Sequence, residues 1–206
     1  MRDEKISDFL ERLADRVPAP GGGASAALHA AQAAALVGMV ARYSTGEKYA
    51  QHETAVNLIL ARADELRGGA LQLAEDDAAA FTAVTDAYRL PKATEEEKAA
   101  RSEAIATALV DAARPPVRVI EVAGLVVELA ERLLPIGNRN VITDVAAAAE
   151  AARAAATTAR VNVEINLGGI KDERIRGELV AGTAKVDDIA ARADQVTAAV
   201  RKEIAR

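Results

Sequence analysis

Apolar residues recur every three or four positions over long stretches of this chain, and no stretch alternates in the manner of a strand, so the pattern predicts helices and no sheet. Ser7 before FLERLA is a candidate N-cap for a short first helix. VPAP should end it, because proline lacks a backbone donor and biases its predecessor toward extended geometry. After GGG, a second helix runs from about Ala24 to Tyr43, with small residues on most faces and hence a central place. A third follows STGEKY through Val56, Ile59, Ala63, Leu66, Ala70, Leu73, Phe81, Val84 and Tyr88, and ends at LPK, Leu90 to Lys92. Thr94 and Glu97 form a capping-box pair that starts a fourth, which meets Pro115-Pro116, where a kink or break is expected, and resumes until Leu134. A fifth helix spans Val141 to about Leu167, up to Gly168-Gly169, and a last one runs from about Lys171 to Ile204. About six helices with short connections predict one all-α domain over residues 1–206, an antiparallel up-and-down bundle.

One polar residue interrupts the third helix. Counting by four from Leu73 reaches Asp77 and then Phe81, so a carboxylate stands in step with the apolar seam. An ionised carboxylate is too costly to bury alone, so Asp77 must be paired, protonated or facing a cavity, unless it shares a helix edge with Asp76 and points to water.

Composition narrows the chemistry. Alanine runs dominate and aromatics make up 2% of the chain, which favours closely packed helices. There is no cysteine, and the two histidines, His29 and His52, lack metal-ligand spacing, so no metal site is expected. The formal charge of −5 comes without a basic tract, so no nucleic-acid surface is expected either. Met1 to Arg16 is too acidic for a secretory signal, and the apolar run from Ala24 to Ala41 reads as a buried helix rather than a membrane span. A cytoplasmic location is the expectation.

Three further features could bind a ligand. PGGG, Pro20 to Gly23, offers backbone amides at a helix start to an anion, or is a linker after two prolines. GNRNVITD places Asn138, Asn140 and Asp144 at another helix start, either as ordinary caps and an early acid or as partners for a heteroaromatic ring. Lys48, Lys92, Arg139 and Lys171 fall in loops or at helix ends, where cations could gather round an anionic ligand or simply be solvated.

Taken in order, PAPGGG, GEKY, EDDAAAF, YRLPKATEEEKAAR, GNRNVITD and NVEINLGGIKD resemble the cyclodeaminase domain of the formiminotransferase-cyclodeaminase family, which includes stand-alone methenyltetrahydrofolate cyclohydrolases. The resemblance implies a helical homodimer that acts on a tetrahydrofolate derivative with no metal and no tightly bound cofactor. Cyclodeamination of formiminotetrahydrofolate to 5,10-methenyltetrahydrofolate, with release of ammonia, is the first reading. The cyclohydrolase reaction and a non-catalytic folate-binding module are the alternatives. By position, the resemblance assigns the reaction to Asp77, Asp144 and Lys48, with Asp77 shuttling the proton that either tetrahedral intermediate requires. It assigns substrate binding to Gly21, Gly22, Gly23, Lys92, Asn138 and Asn140. Asp144 and an asparagine would meet the pterin, while the lysines and glycine amides would meet the anionic glutamate tail. Glu47, Arg139, Thr143 and Gly168-Gly169 depart from the family pattern, the first two at the expected ligand mouth.

Overall fold

Alanine favours the helix and adds almost no bulk to it, so helices that face one another with alanine can run side by side at short distance. The computed structural model describes residues 3–205, and its elements follow that logic; Met1, Arg2 and Arg206, the ends of the expected domain, lie outside the described residues. A short α1 (Ile6–Ala14) precedes the central α2 (Gly22–Arg42), which packs against α3 (Glu53–Arg89), α4 (Glu95–Leu133) and α5 (Ile142–Leu167). Helix α6 (Glu173–Thr183) leans on α4 and α5, and α7 (Val186–Ile204) lies along α5. Two 3₁₀ turns, Glu47–His52 and Arg139–Val141, open α3 and α5.

Cross-links show the directions. Arg42 near the end of α2 pairs with Asp64 early in α3 at 2.6 Å, and Arg160 late in α5 pairs with Asp187 at the start of α7 at 2.7 Å, so both pairs of helices are antiparallel. Arg192 donates to both carboxylate oxygens of Glu131, at 2.9 and 2.5 Å, and clamps α7 to α4. By length and composition α2 could cross a membrane, yet 12 of its 21 residues are buried within the bundle.

Thr94 accepts from the Glu97 amide at 3.2 Å and Glu97 accepts from the Thr94 amide at 3.2 Å, completing the expected capping box of α4. Other expectations need correction. The last segment, expected as one helix from about Lys171 to Ile204, divides at Ala184-Lys185 into α6 and α7, giving seven α-helices among the described residues. No break occurs at Pro115-Pro116: α4 is continuous, and both rings are buried among Ala113, Val119 and Ile120, so tertiary packing offsets the lost hydrogen bonds. Ser7 lies inside α1, whose N-cap is Lys5, and its hydroxyl donates to Asp8 instead. Glycines 22 and 23 form the first turn of α2 rather than a loop before it. Finally, Leu66, Ala70, Leu73 and Val84 are buried as expected, but Phe81 and Tyr88 are 49% and 53% exposed. Steps of four overrun the helical repeat by about 40° each, so a seam followed from Leu73 through Asp77 has turned outward by Phe81.

Candidate active site

Asp77 reaches from α3 onto the first turn of α2. A Cβ on Gly23 would stand 2.0 Å from its Oδ1 and 2.6 Å from its Oδ2, so the carboxylate occupies the space that any other residue at that position would need. The Ala24 amide donates to the carboxylate, one of the four helix-start donors that have no partner within the helix. Burial pushes the Asp77 pKa up to about 6, and the Ala24 hydrogen bond, pulling the other way, only tempers the rise. Among the described residues, no lysine or arginine lines the cavity beside it to reverse that direction.

That cavity has a volume of about 160 Å³ and draws on five parts of the chain. Pro18 and Ala19 come from the loop before α2, Gly21, Gly22 and Gly23 from the helix start, Asp77 and Phe81 from α3, Ala112 and Pro116 from α4, and Asn162, Ile165 and Asn166 from α5. Phe81 and Ile165 stay largely exposed at its mouth, giving it an apolar rim. A half-buried acid with a pKa of about 6, at a helix start, can take a proton from a nucleophile and return it to a leaving group.

The glycines and Asp77 therefore meet as expected, but one chain does not bring the remaining candidates to them. Asn138, Asn140, Asp144 and Lys48 sit at the other end of α2, about 30 Å away by the rise of its 21 residues. There, Asn138 works as a clasp between the α4–α5 connection and the end of α2. Its backbone amide donates to Ser44 Oγ at 2.8 Å, its Nδ2 donates to the Tyr43 carbonyl at 2.7 Å, and its Oδ1 accepts from the Asn140 amide at 3.0 Å. Asp144 is half-buried in the first turn of α5 and has no hydrogen-bond or ion-pair partner among the described residues. Lys48 lies over the Tyr49 ring, with Nζ 5.4 Å from its centroid. Lys92 is exposed at the tip of the α3–α4 hairpin, and Lys171 is exposed beyond the end of α5. Arg139 forms an ion pair with Glu203, so the four loop cations do not gather round one point within the chain.

Asn162 and Asn166 were not among the candidates read from the sequence, although both fall inside NVEINLGGIKD. A signal was present: two asparagines four apart near the end of an alanine-valine helix occupy one face, as Asp77 does on α3.

Comparison with known proteins gives the chain a family and a fold. Residues 5–185 match the family model described as Formiminotransferase-cyclodeaminase. The chain is 40% identical over 177 residues to a methenyltetrahydrofolate cyclohydrolase of Methylorubrum extorquens, covering 85% of each. It is 30% identical over 172 residues to the formimidoyltransferase-cyclodeaminase of Mus musculus, covering 83% of this chain but 32% of that longer protein. The crystal structure of a formiminotetrahydrofolate cyclodeaminase from Thermotoga maritima superimposes with a TM-score of 0.86 at 30% identity, over 98% of both chains.

Proposed function

Since the chain belongs to the formiminotransferase-cyclodeaminase family, we propose that it is an enzyme acting on a C–N bond of a tetrahydrofolate derivative, with Asp77 as the proton-transferring group. The observation that carries this reading is the half-buried carboxylate of Asp77, raised to a pKa of about 6 in a cavity it shares with the first turn of α2. Hydrolysis of 5,10-methenyltetrahydrofolate is the favoured reaction, supported by the 40% identity to a cyclohydrolase that this chain covers over most of its length.

In that reaction Asp77 removes a proton from water as the oxygen bonds to the methenyl carbon, and the C=N electron pair moves onto nitrogen. Asp77 then hands the proton to the departing nitrogen, the C–N bond breaks toward it, and the hydroxyl loses its hydrogen as the formyl C=O forms. Only protons move, so no redox cofactor is called for. The exposed Phe81 and Ile165 at the mouth supply apolar surface for a flat ring. Cyclodeamination of the formimino compound is the second reading, favoured by the near-complete superposition on the Thermotoga enzyme. The same proton path serves it, with N10 attacking and ammonia leaving.

We also propose that the active form is a homodimer. A cavity of about 160 Å³ is smaller than the roughly 300–1,000 Å³ typical of ligand sites, so a folate must extend beyond it. On α2, Ser25, His29, Gln32, Ala35, Leu36 and Met39 form a face that no other helix of the chain fully covers. A second copy laid antiparallel on that face, about a twofold axis near Gln32, would carry its own Asn138, Asp144 and Lys48 end toward the Asp77 cavity. The role of those residues in binding the pterin and the glutamate tail is proposed for that assembly.

Two assays test the function. The purified protein is given 5,10-methenyltetrahydrofolate, following loss of the methenyl chromophore against spontaneous hydrolysis, and separately 5-formiminotetrahydrofolate, following ammonia. Catalysed chromophore loss supports the favoured reaction, and ammonia release supports the second. Tight folate binding without turnover of either would leave a binding module and remove the enzyme reading.

A further inference from the structure

Two side-chain amides on α5 face the same small cavity as Asp77, and each is anchored to its own helix through one N–H. Asn162 Nδ2 donates to the Thr158 carbonyl at 2.9 Å, and Asn166 Nδ2 donates to the Asn162 carbonyl at 2.8 Å. A backbone carbonyl can only accept, so in each case one N–H is spent on the helix, leaving Oδ1 free to accept. Asn162 stands beside the first turn of α2, its Nδ2 3.5 Å and its Oδ1 3.7 Å from where a Cβ on Gly22 would lie. Asp77 covers the adjacent Gly23 from the α3 side. From α4, Pro116 has no N–H to offer the Ala112 carbonyl one turn before it, and both residues line the cavity.

We infer that Asn162 and Asn166 present their side-chain oxygens as acceptors for the hydrogens of the reacting group, so that the nucleophile is held between Asp77 and α5. The inference rests on the folate reading above. It goes further by naming what the cavity selects: a group that brings its own N–H or O–H hydrogens and positive charge. Asp77 is the only titratable side chain among the described residues that line the cavity; α2, α4, α5 and the loop before α2 contribute none. One carboxylate and two asparagine oxygens, with no cationic side chain among the described residues lining the cavity, suit the cationic amidinium of a methenyl folate with its attacking water. They suit the N–H-bearing formiminium of the second reading equally.

The proton count assigns Asn162 its part. Asp77 takes one hydrogen of the water, while the other remains on oxygen, held by Asn162 Oδ1, through the tetrahedral carbinol. Once Asp77 has delivered its proton to the leaving nitrogen, the emptied carboxylate accepts the held hydrogen as C=O forms, and one proton is released overall.

The test uses the full chain with 5,10-methenyltetrahydrofolate hydrolysis as readout, alongside thermal melts. Asn162→Leu keeps the size and removes the acceptor. It is expected to lower kcat about 10- to 100-fold with KM changed by less than about threefold, and Asn166→Leu is expected to follow the same pattern more weakly. Asn162→Asp keeps an acceptor but adds a carboxyl to the cavity of Asp77, so the acidic limb of kcat/KM should move up by about one pH unit. A limb moved in this way shows that position 162 faces Asp77 across the cavity, and the kcat of the leucine variants shows whether the acceptor is used. Wild-type kcat in both leucine variants overturns the inference while leaving the folate reading intact. If the leucine variants do not fold, Asn162→Ala and Asn166→Ala, which also remove the acceptor, are measured in their place against the same expectation. A wild-type protein inactive on both folates overturns the functional reading, and this inference with it.

Discussion

Asp77 meets the Ala24 amide on one side and loses much of its water on the other, and the second effect governs. If it is the general base, kcat/KM should fall as pH drops through about 6, with an acidic limb that Asp77→Asn lacks. The sign for stability is the reverse of that for a salt-bridged acid. Because the folded pKa of about 6 exceeds the ordinary 3.8, ionising Asp77 opposes folding. The opposition is absent below about 3.8, grows through that window and is complete above 6. The shift sets an upper bound of about 3 kcal/mol, reduced to about 1–2 kcal/mol by the side chain's partial exposure. Urea melts should therefore find Asp77→Asn more stable than wild type at pH 7 and equal to it near pH 4. Two glycine variants separate sterics from helix propensity. Gly23→Ala drives a methyl into the carboxylate and should lose most turnover, whereas Gly22→Ala meets only ordinary contact at 3.5 Å and should keep the fold at equal or higher Tm. Asp77 was legible because one acid broke an apolar period. Asn162 and Asn166 were harder to see, because asparagine near a helix end also reads as routine capping and only the packing of α5 against α2 gives their oxygens a cavity to face.

At the scale of elements, local signals were reliable where the responsible residues are neighbours in sequence. The capping box at Thr94 is such a case, and Thr94→Ala should lower stability by about 1 kcal/mol in denaturant melts without changing turnover, since the hairpin tip lies well away from the cavity. Signals failed where distant packing overrode the local preference. Pro115-Pro116 predicts a break at about 3 kcal/mol per interior proline, yet both rings are buried and the helix continues through them. The division of α6 from α7 was equally hidden, because Leu179 and Val186 keep a helical period while α6 turns to α4 and α7 to α5. The first deviation bears on the site, since the continuous α4 carries Ala112 and Pro116 to the cavity.

At the scale of the whole molecule, the sequence motifs divide between the two ends of α2, glycines and Asp77 at one and Asn138, Asp144 and Lys48 at the other. Linear order alone could not reveal that separation, because antiparallel helices return distant segments to either end. The open α2 face resolves it if two copies pair about Gln32, where each residue near the axis meets its own copy. Light scattering should then give a mass of twice 21.5 kDa. Gln32→Lys should set like charges against each other, shifting the protein toward monomer and reducing turnover in parallel. A fully active monomer would remove the shared site. The proton transfer itself is tested most directly by the initial rate of methenyl chromophore loss with Asp77→Asn, measured at pH 7 on folded protein of wild-type mass. The rate should drop by about 10²- to 10⁴-fold, toward that of the spontaneous reaction. A rate close to wild type would contradict the role of Asp77.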